Sequence, residues 1–262
     1  MDFANFILIA IAAGLAGFVD AVVGGGGLIL VPSFFAIYPD SAPASLLGNN
    51  KATSVWGTAF ASWAYSKKIR LPIKSLIAGA TFALAGSFTG AWCVTRIPAS
   101  IFKAALPIVL VALLIYTLVK KDFGQVHAPK FEAREELFRM ALIGGFVGFY
   151  DGFFGPGAGS FFVFILVRWL GFDFLHASAG AKILNTASNS AALLLFSMDG
   201  YIWWHIAIPL AIANVAGSFL GTRLALKKGA GFIRYFFILV VFVLIIKTSY
   251  EFIWGPALAL IK

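Results

Sequence analysis

The sequence predicts an all-α polytopic membrane protein of two inverted-topology repeats, about five hydrophobic segments each and 8–10 in total, with broken or re-entrant helices at its glycine-rich motifs. Three observations carry this expectation. The chain is 61% hydrophobic and only 12% charged, with a mean hydropathy of +0.93. That is about half the charge of a soluble domain, and several apolar runs reach the roughly 20 residues that a helix needs to cross a bilayer. Second, Gly17-Phe18-Val19-Asp20 followed by Gly24–Gly27 returns 131 residues later as Gly148-Phe149-Tyr150-Asp151 followed by Gly155-Pro156-Gly157, and 131 is half of 262. Third, the basic residues sit in short clusters between the apolar runs.

The same facts exclude other classes. Strands of a closed barrel alternate polar and apolar residues, and these runs do not. A net charge of +9 invites a polyanionic partner, but Lys and Arg lie between apolar runs, as in cytoplasmic membrane loops, so no nucleic acid is expected. Cys93 is the single cysteine, which rules out an internal disulfide and thiolate metal cages. Met1–Asn5 lacks the positive region of a signal peptide, so the first apolar segment is expected to stay as a membrane helix.

In chain order, residues 3–23 form a first helix that ends at the glycine run, because four glycines favour unwound backbone. Residues 28–38 are apolar but too short to span, which suggests a half-helix; unwound backbone at membrane depth is tolerated only in protein or beside a polar cavity. After the Tyr38–Pro43 turn, a third segment opens at Gly48 and runs to Tyr65; a fourth covers 75–95 and a fifth 101–119. Residues 120–139 read as a charged cytoplasmic linker, with Ala133–Glu136 able to start a short surface helix. The second half replays the first at 140–154, 159–170, 180–198, 202–226 and 232–253. The expected organisation is therefore a first repeat over 1–119, the linker over 120–139, and a second repeat over 140–262.

The repeat keeps one register. Lys51 matches Lys182, Ala85–Phe88 matches Ala216–Phe219, and Gly90 matches Gly221. The loop with Lys67, Lys68, Arg70 and Lys74 is strongly basic, whereas its counterpart, Met198–His205, carries no Lys or Arg and reads as an aromatic interfacial belt. Equivalent loops on opposite sides make the repeats inverted, with the linker and Lys227-Lys228 in the cytoplasm and both termini outside. Arg96 and Lys103 fall on the outer side and weigh against this orientation.

Paired breaks of this kind point to a transporter's substrate site. A carboxylate at a helix centre costs about 2.5–3.5 kcal/mol on insertion scales, so Asp20 and Asp151 need a reason: an ion-coupling site, a neutral cap that holds the glycine loop, or both. Lys51 is surrounded by Asn49, Asn50, Thr53, Ser54 and Thr58, and Lys182 by Asn185, Thr186, Ser188 and Asn189. A cation among hydrogen-bond donors suits an oxyanion in a low-dielectric cavity; snorkelling to the interface or a fixed ion pair with the matching aspartate are the other possibilities. Half-helix N-termini beside Gly25, Gly26 and Gly157 would aim backbone N–H groups at an anion. Gly155-x-Gly157-x-Gly159 has neither the preceding strand nor the Gly-Lys-Ser/Thr of a nucleotide loop. Gly86/Gly90 and Gly217/Gly221 fit close helix packing. His127, His176 and His205 are isolated, with no metal-ligand spacing, and no paired catalytic groups appear; no metal, cofactor or enzymatic activity is expected.

Taken together, Gly-Phe-Val-Asp before Gly24–Gly27, the Asn49–Thr53 block, Gly148–Ser160, Ala181–Asn185 and Ser188-Asn189 resemble the TauE/SafE family of sulfite-exporter-like permeases, the 4-toluene sulfonate uptake permease family, over essentially the whole chain. One departure is Gly48-Asn49-Asn50-Lys51, where many members carry Thr-Asn-Lys. The resemblance implies a multi-pass protein of the cell inner membrane that transports small sulfur-containing anions such as sulfite, sulfonates or sulfoacetate. The expected mechanism is alternating access, with proton coupling as a further hypothesis. The expected substrate-binding residues are Gly25, Gly26, Asn49, Asn50, Lys51, Ser54, Gly157, Lys182, Asn185, Ser188 and Asn189, and the ion-coupling pair is Asp20 and Asp151. Expected partners are a small anion and the lipid bilayer, with a homodimer left open. An anion channel, or a cation transporter that uses the aspartates as ligands, are the rivals.

Overall fold

A computed structural model describes residues 3–98 and 128–259, with side chains beyond Gly229 described only at Phe232, Ile233, Tyr235 and Phe236. The fifth segment expected at 101–119, residues 120–127 of the linker and His127 lie outside the described residues. Regular structure among the described residues is entirely helical: α1 Phe3–Val23, α2 Gly27–Ile37, α3 Pro43–Ser66, α4 Ile73–Val94, α5 Ala133–Phe153, α6 Ala158–Leu170, α7 Phe174–Met198 and α8 Trp204–Ala259. Non-helical backbone at Gly229 (φ 76°, ψ −168°) divides α8. The starts of α2, α3 and α4 recur 131 residues later as the starts of α6, α7 and α8.

Three boundaries differ from the sequence expectation. Helix α3 begins at Pro43, not Gly48, because extended Ala42 leads into a proline at the first turn, where its missing N–H costs nothing. Helix α7 begins at Phe174, not 180: Asp173 caps it, accepting the N–H groups of Leu175 and His176 at 2.8 Å each. Both lysines therefore sit about two turns inside their helices. Ala133–Glu136 is no separate surface helix but the first turn of α5, where Glu135 and Glu136 suit the positive helix end.

The glycine runs are chain reversals. Gly24 (φ +81°) and Gly155 (φ +85°) adopt left-handed backbone that a side chain would strain. Helix α2 then folds back along α1: Gly26 lies against Ala16 and Asp20, while Leu30 and Phe34 pack with Ile9, Ala13 and Ala16. Helix α6 follows the second reversal in the same way, tied by the Tyr150 hydroxyl, which donates to the Pro156 carbonyl at 2.6 Å. The tips of the two reversals cross, backbone on backbone, at Gly24 and Gly159, and the Ser160 hydroxyl donates to the Val23 carbonyl at 3.0 Å.

The two halves exchange helices. α1 packs on α8 and α4 on α5, with Gly217 and Gly221 against the backbone of Gly14 and Phe18, and Gly86 and Gly90 against that of Gly145 and Phe149. α3 and α7 lie between these pairs and run in opposite directions, since Gly48 meets Phe196 and Lys51 meets Asn189. Polarity is inside out. Asp20, Lys51, Asp151 and Lys182 are buried, while Ile11, Phe82, Phe146 and Ile212 are exposed on the outer helices, the reverse of a water-soluble protein. Three described helices are long and apolar enough to cross a membrane: Phe3–Val23, Ile73–Val94 and the Trp204–Gly229 part of α8. α3 and α7 are as long, but carry the buried polar residues of the centre.

Candidate functional site

The charged residues of the two halves are crossed. Lys51 of α3 donates to Asp151 Oδ1 of α5 at 2.6 Å and to Asn189 Oδ1 of α7 at 2.8 Å. Lys182 of α7 donates to the backbone carbonyl of Asp20 on α1 and lies 3.3 Å from its Oδ2. Each half thus supplies the cation for the other half's carboxylate, and neither lysine snorkels. Hydroxyls add to both carboxylates: Thr58 Oγ1 lies 3.1 Å from Asp20 Oδ2, and Ser188 Oγ 2.6 Å from Asp151 Oδ2. Two lysines and two aspartates balance in formal charge at the centre. The arrangement keeps its partners together, because stripping one from a buried pair leaves an uncompensated charge.

Between the pairs lies a cavity of about 20 Å³, room for roughly one water. Asp20, Lys51 and Asp151 reach it, as do Asn50, Ser54, Asn185 and Asn189. Gly26 and Gly27 bring the N-terminus of α2 to its wall, and Gly159 brings that of α6. The polar side chains here are conspicuously uncommitted: Asn50 Oδ1 is buried without a partner, and no hydrogen bond engages Ser54 Oγ, the Asn185 amide or Asn189 Nδ2 among the described residues. Buried amides ordinarily find partners, and the Asn50 oxygen has none among the described residues.

Other expected site residues fall elsewhere. Asn49 is a strut: its amide donates to the Ser45 carbonyl at 2.7 Å and to that of Tyr201 at 3.4 Å, and its oxygen accepts the Trp203 N–H at 3.0 Å. Gly25 contacts Ser160, Val19 and Leu28, and Gly157 is the left-handed cap of α6; neither reaches the cavity. Lys182 and Ser188 stand behind the carboxylates. Asn214, Gly24, Gly27, Gly155 and Gly159 line the cavity although sequence reasoning passed over them as site residues, and Thr58 lines it although it stood out only as a neighbour of Lys51. A signal for Asn214 existed, since it is a lone amide inside an apolar helical run; it donates to the Ala13 carbonyl at 3.0 Å. His176 also has a structural place, with Nδ1 2.7 Å from the Asp173 cap.

Buried crossed ion pairs, two broken-helix reversals and a lipid-compatible exterior define a helical membrane protein with a polar centre. The comparisons agree: residues 9–248 match the model of the sulfite exporter TauE/SafE family, and the chain belongs to that family. It is 34% identical over 238 residues to the probable membrane transporter protein YfcA of Escherichia coli strain K12, covering 90% of this chain and 87% of that one. It is 33% identical to the probable membrane transporter protein ORF9 of Sinorhizobium sp (90% and 89% covered) and to a probable membrane transporter protein of Haemophilus influenzae (92% of each). No solved structure matches the chain.

Proposed function

We propose that the chain is a secondary transporter of small sulfur-containing anions, of sulfite, sulfonate or sulfoacetate type, in the cell inner membrane. The observation that carries this reading is the cavity set among crossed Lys–Asp pairs and lined by Lys51, Asn50, Asn185 and Asn189 beside two helix N-termini. Ammonium groups, amide N–H groups and helix N-termini are the donors a sulfur oxyanion's oxygens need. A cavity of about 20 Å³ is closed to such an anion, which supports a cycle in which the two halves move apart on one side at a time. The opposed directions of α3 and α7 support inverted repeats, one over 1–119 and the other over 140–262, joined by a cytoplasmic linker.

The neutral centre also supports proton coupling. An anion entering it adds an uncompensated charge in low dielectric. Protonation of one carboxylate cancels that charge. A monoanion would then travel with one proton and no net charge.

The test is thermal stabilisation of the purified protein by sulfite, thiosulfate, sulfoacetate, carboxylates and divalent cations, followed by flux in proteoliposomes. The expected result is a shift from one sulfur oxyanion that disappears in Lys51→Ala. Flux of a monoanionic sulfonate should follow an imposed pH gradient and respond little to a potassium diffusion potential. A shift from a divalent cation, lost in Asp20→Asn, would overturn the reading in favour of a cation transporter; flux without saturation would favour a channel.

A further inference from the structure

Resting on the anion–proton reading, we infer that the two matched aspartates have separate tasks: Asp20 alone carries the proton, and Asp151 is a fixed counter-ion that positions Lys51. The two carboxylates occupy equivalent places in the repeat, but their surroundings do not match. Both oxygens of Asp151 are engaged, Oδ1 by Lys51 at 2.6 Å and Oδ2 by Ser188 at 2.6 Å, and its side chain is 3% exposed. At Asp20, Lys182 and Thr58 converge on the same oxygen, Oδ2, at the longer distances of 3.3 and 3.1 Å. Oδ1 takes no hydrogen bond among the described residues, and the side chain is 11% exposed while lining the cavity.

The asymmetry has a cause in the sequence. The position equivalent to Ser188 in the first half is Gly57, so α3 has no hydroxyl to offer there. The side chain of Asn214 packs there instead, its Oδ1 2.2 Å from where a Cβ on Gly57 would sit. The position equivalent to Asn189 is Thr58, which replaces the amide oxygen that accepts from Lys51 with a hydroxyl that donates to Asp20 Oδ2 at 3.1 Å. Asp20 is therefore the cavity-lining carboxylate that keeps an oxygen without a hydrogen bond among the described residues.

The charged and titratable groups around Asp20 fit this task. α7 presents Lys182 in direct contact, and α3 presents Lys51 across the cavity and Tyr65, whose hydroxyl is occupied by the Ala21 carbonyl at 3.1 Å. α5 presents Asp151 across the cavity, while α2, α6 and α8 present no charged side chain among the described residues, only Gly26, Gly27, Gly159 and Asn214. In the step itself, a proton from the open aqueous side joins Asp20 Oδ1 and converts the carboxylate to the acid. The Asp20–Lys182 ion pair is lost, and the centre passes from neutral to one positive charge. A monoanion beside Lys51, Asn50 and Ser54 restores neutrality, and both leave together on the other side.

The test uses infrared difference spectroscopy on the reconstituted full chain as pH is lowered, in wild type, Asp20→Asn, Asp151→Asn and Ser188→Ala. The expected result is a protonated-carboxylic-acid carbonyl band that is present in wild type and Ser188→Ala and absent in Asp20→Asn. Ser188→Ala keeps the inference testable if Asp151→Asn does not fold. Methanesulfonate, which stays ionised throughout, should bind about tenfold more tightly for each unit of falling pH above the transition, and with no pH dependence in Asp20→Asn. A band that persists in Asp20→Asn overturns the assignment. If the band behaves as expected but no sulfur anion binds at any pH, the substrate reading fails and the proton site stands.

Discussion

At the scale of the residue, the crossed pairs make stability and function hard to separate. Removing one member strands a buried charge, so Lys51→Ala or Asp151→Asn should each cost about 3–5 kcal/mol, whereas an apolar pair at both positions should recover most of it. Melting of the detergent-solubilised single variants and of Lys51→Met with Asp151→Leu checks this; single variants that melt like wild type would contradict the pairing. Asn49 makes the opposite prediction. Because it joins α3 to the start of α8, Asn49→Ala should lower stability by about 1–3 kcal/mol through the acceptors and donor left unpaired. Anion affinity should stay within about twofold of wild type, measured by titration alongside the melt. The identity of the charged residues was legible in the sequence, because an ionisable side chain in an apolar run announces itself. Their pairing was not: nothing local to Lys51 says that its partner is 100 residues away on α5.

At the scale of the element, glycine spacing decides how closely helices approach. A Cβ on Gly152 would lie 2.0 Å from the Ser87 carbonyl oxygen, while one on Gly145 of the same helix would meet nothing nearer than Phe82 at 3.9 Å. Gly152→Ala should therefore push α5 off α4 and sharply lower the melting temperature. Gly145→Ala should be neutral or stabilising by up to about 1 kcal/mol, because alanine is the better helix former. Equal effects in a thermal melt would refute the close contact. Most helix spans could be read from apolar runs and glycines. The starts of α3 and α7 could not, because the polar residues that mark the site also interrupt the hydrophobic pattern used to find a helix. Pro43 and Asp173 were the signals that place them.

At the scale of the whole molecule, the repeat and the charge of its loops make a prediction about orientation. In a Cys93→Ser background, Lys68→Cys in the basic loop should react with an impermeant maleimide only from the cytoplasmic side, and Asp199→Cys in its counterpart only from the opposite side. Labelling of both from one side would remove the inverted arrangement, and with it the alternating-access reading.

The sequence by itself determined that this chain is a duplicated helical membrane protein, where its helices break, and which residues are too polar to sit in lipid without a purpose. Those properties are local or periodic: hydropathy, glycine content and a constant offset between halves are all visible along one dimension. The tertiary structure decided which cation meets which carboxylate, which amides face a cavity and which act as struts, and which of two matched aspartates keeps an oxygen free. These depend on two halves crossing at Gly24 and Gly159 and exchanging helices, a long-range arrangement that brings residues from opposite ends of the chain within hydrogen-bond distance.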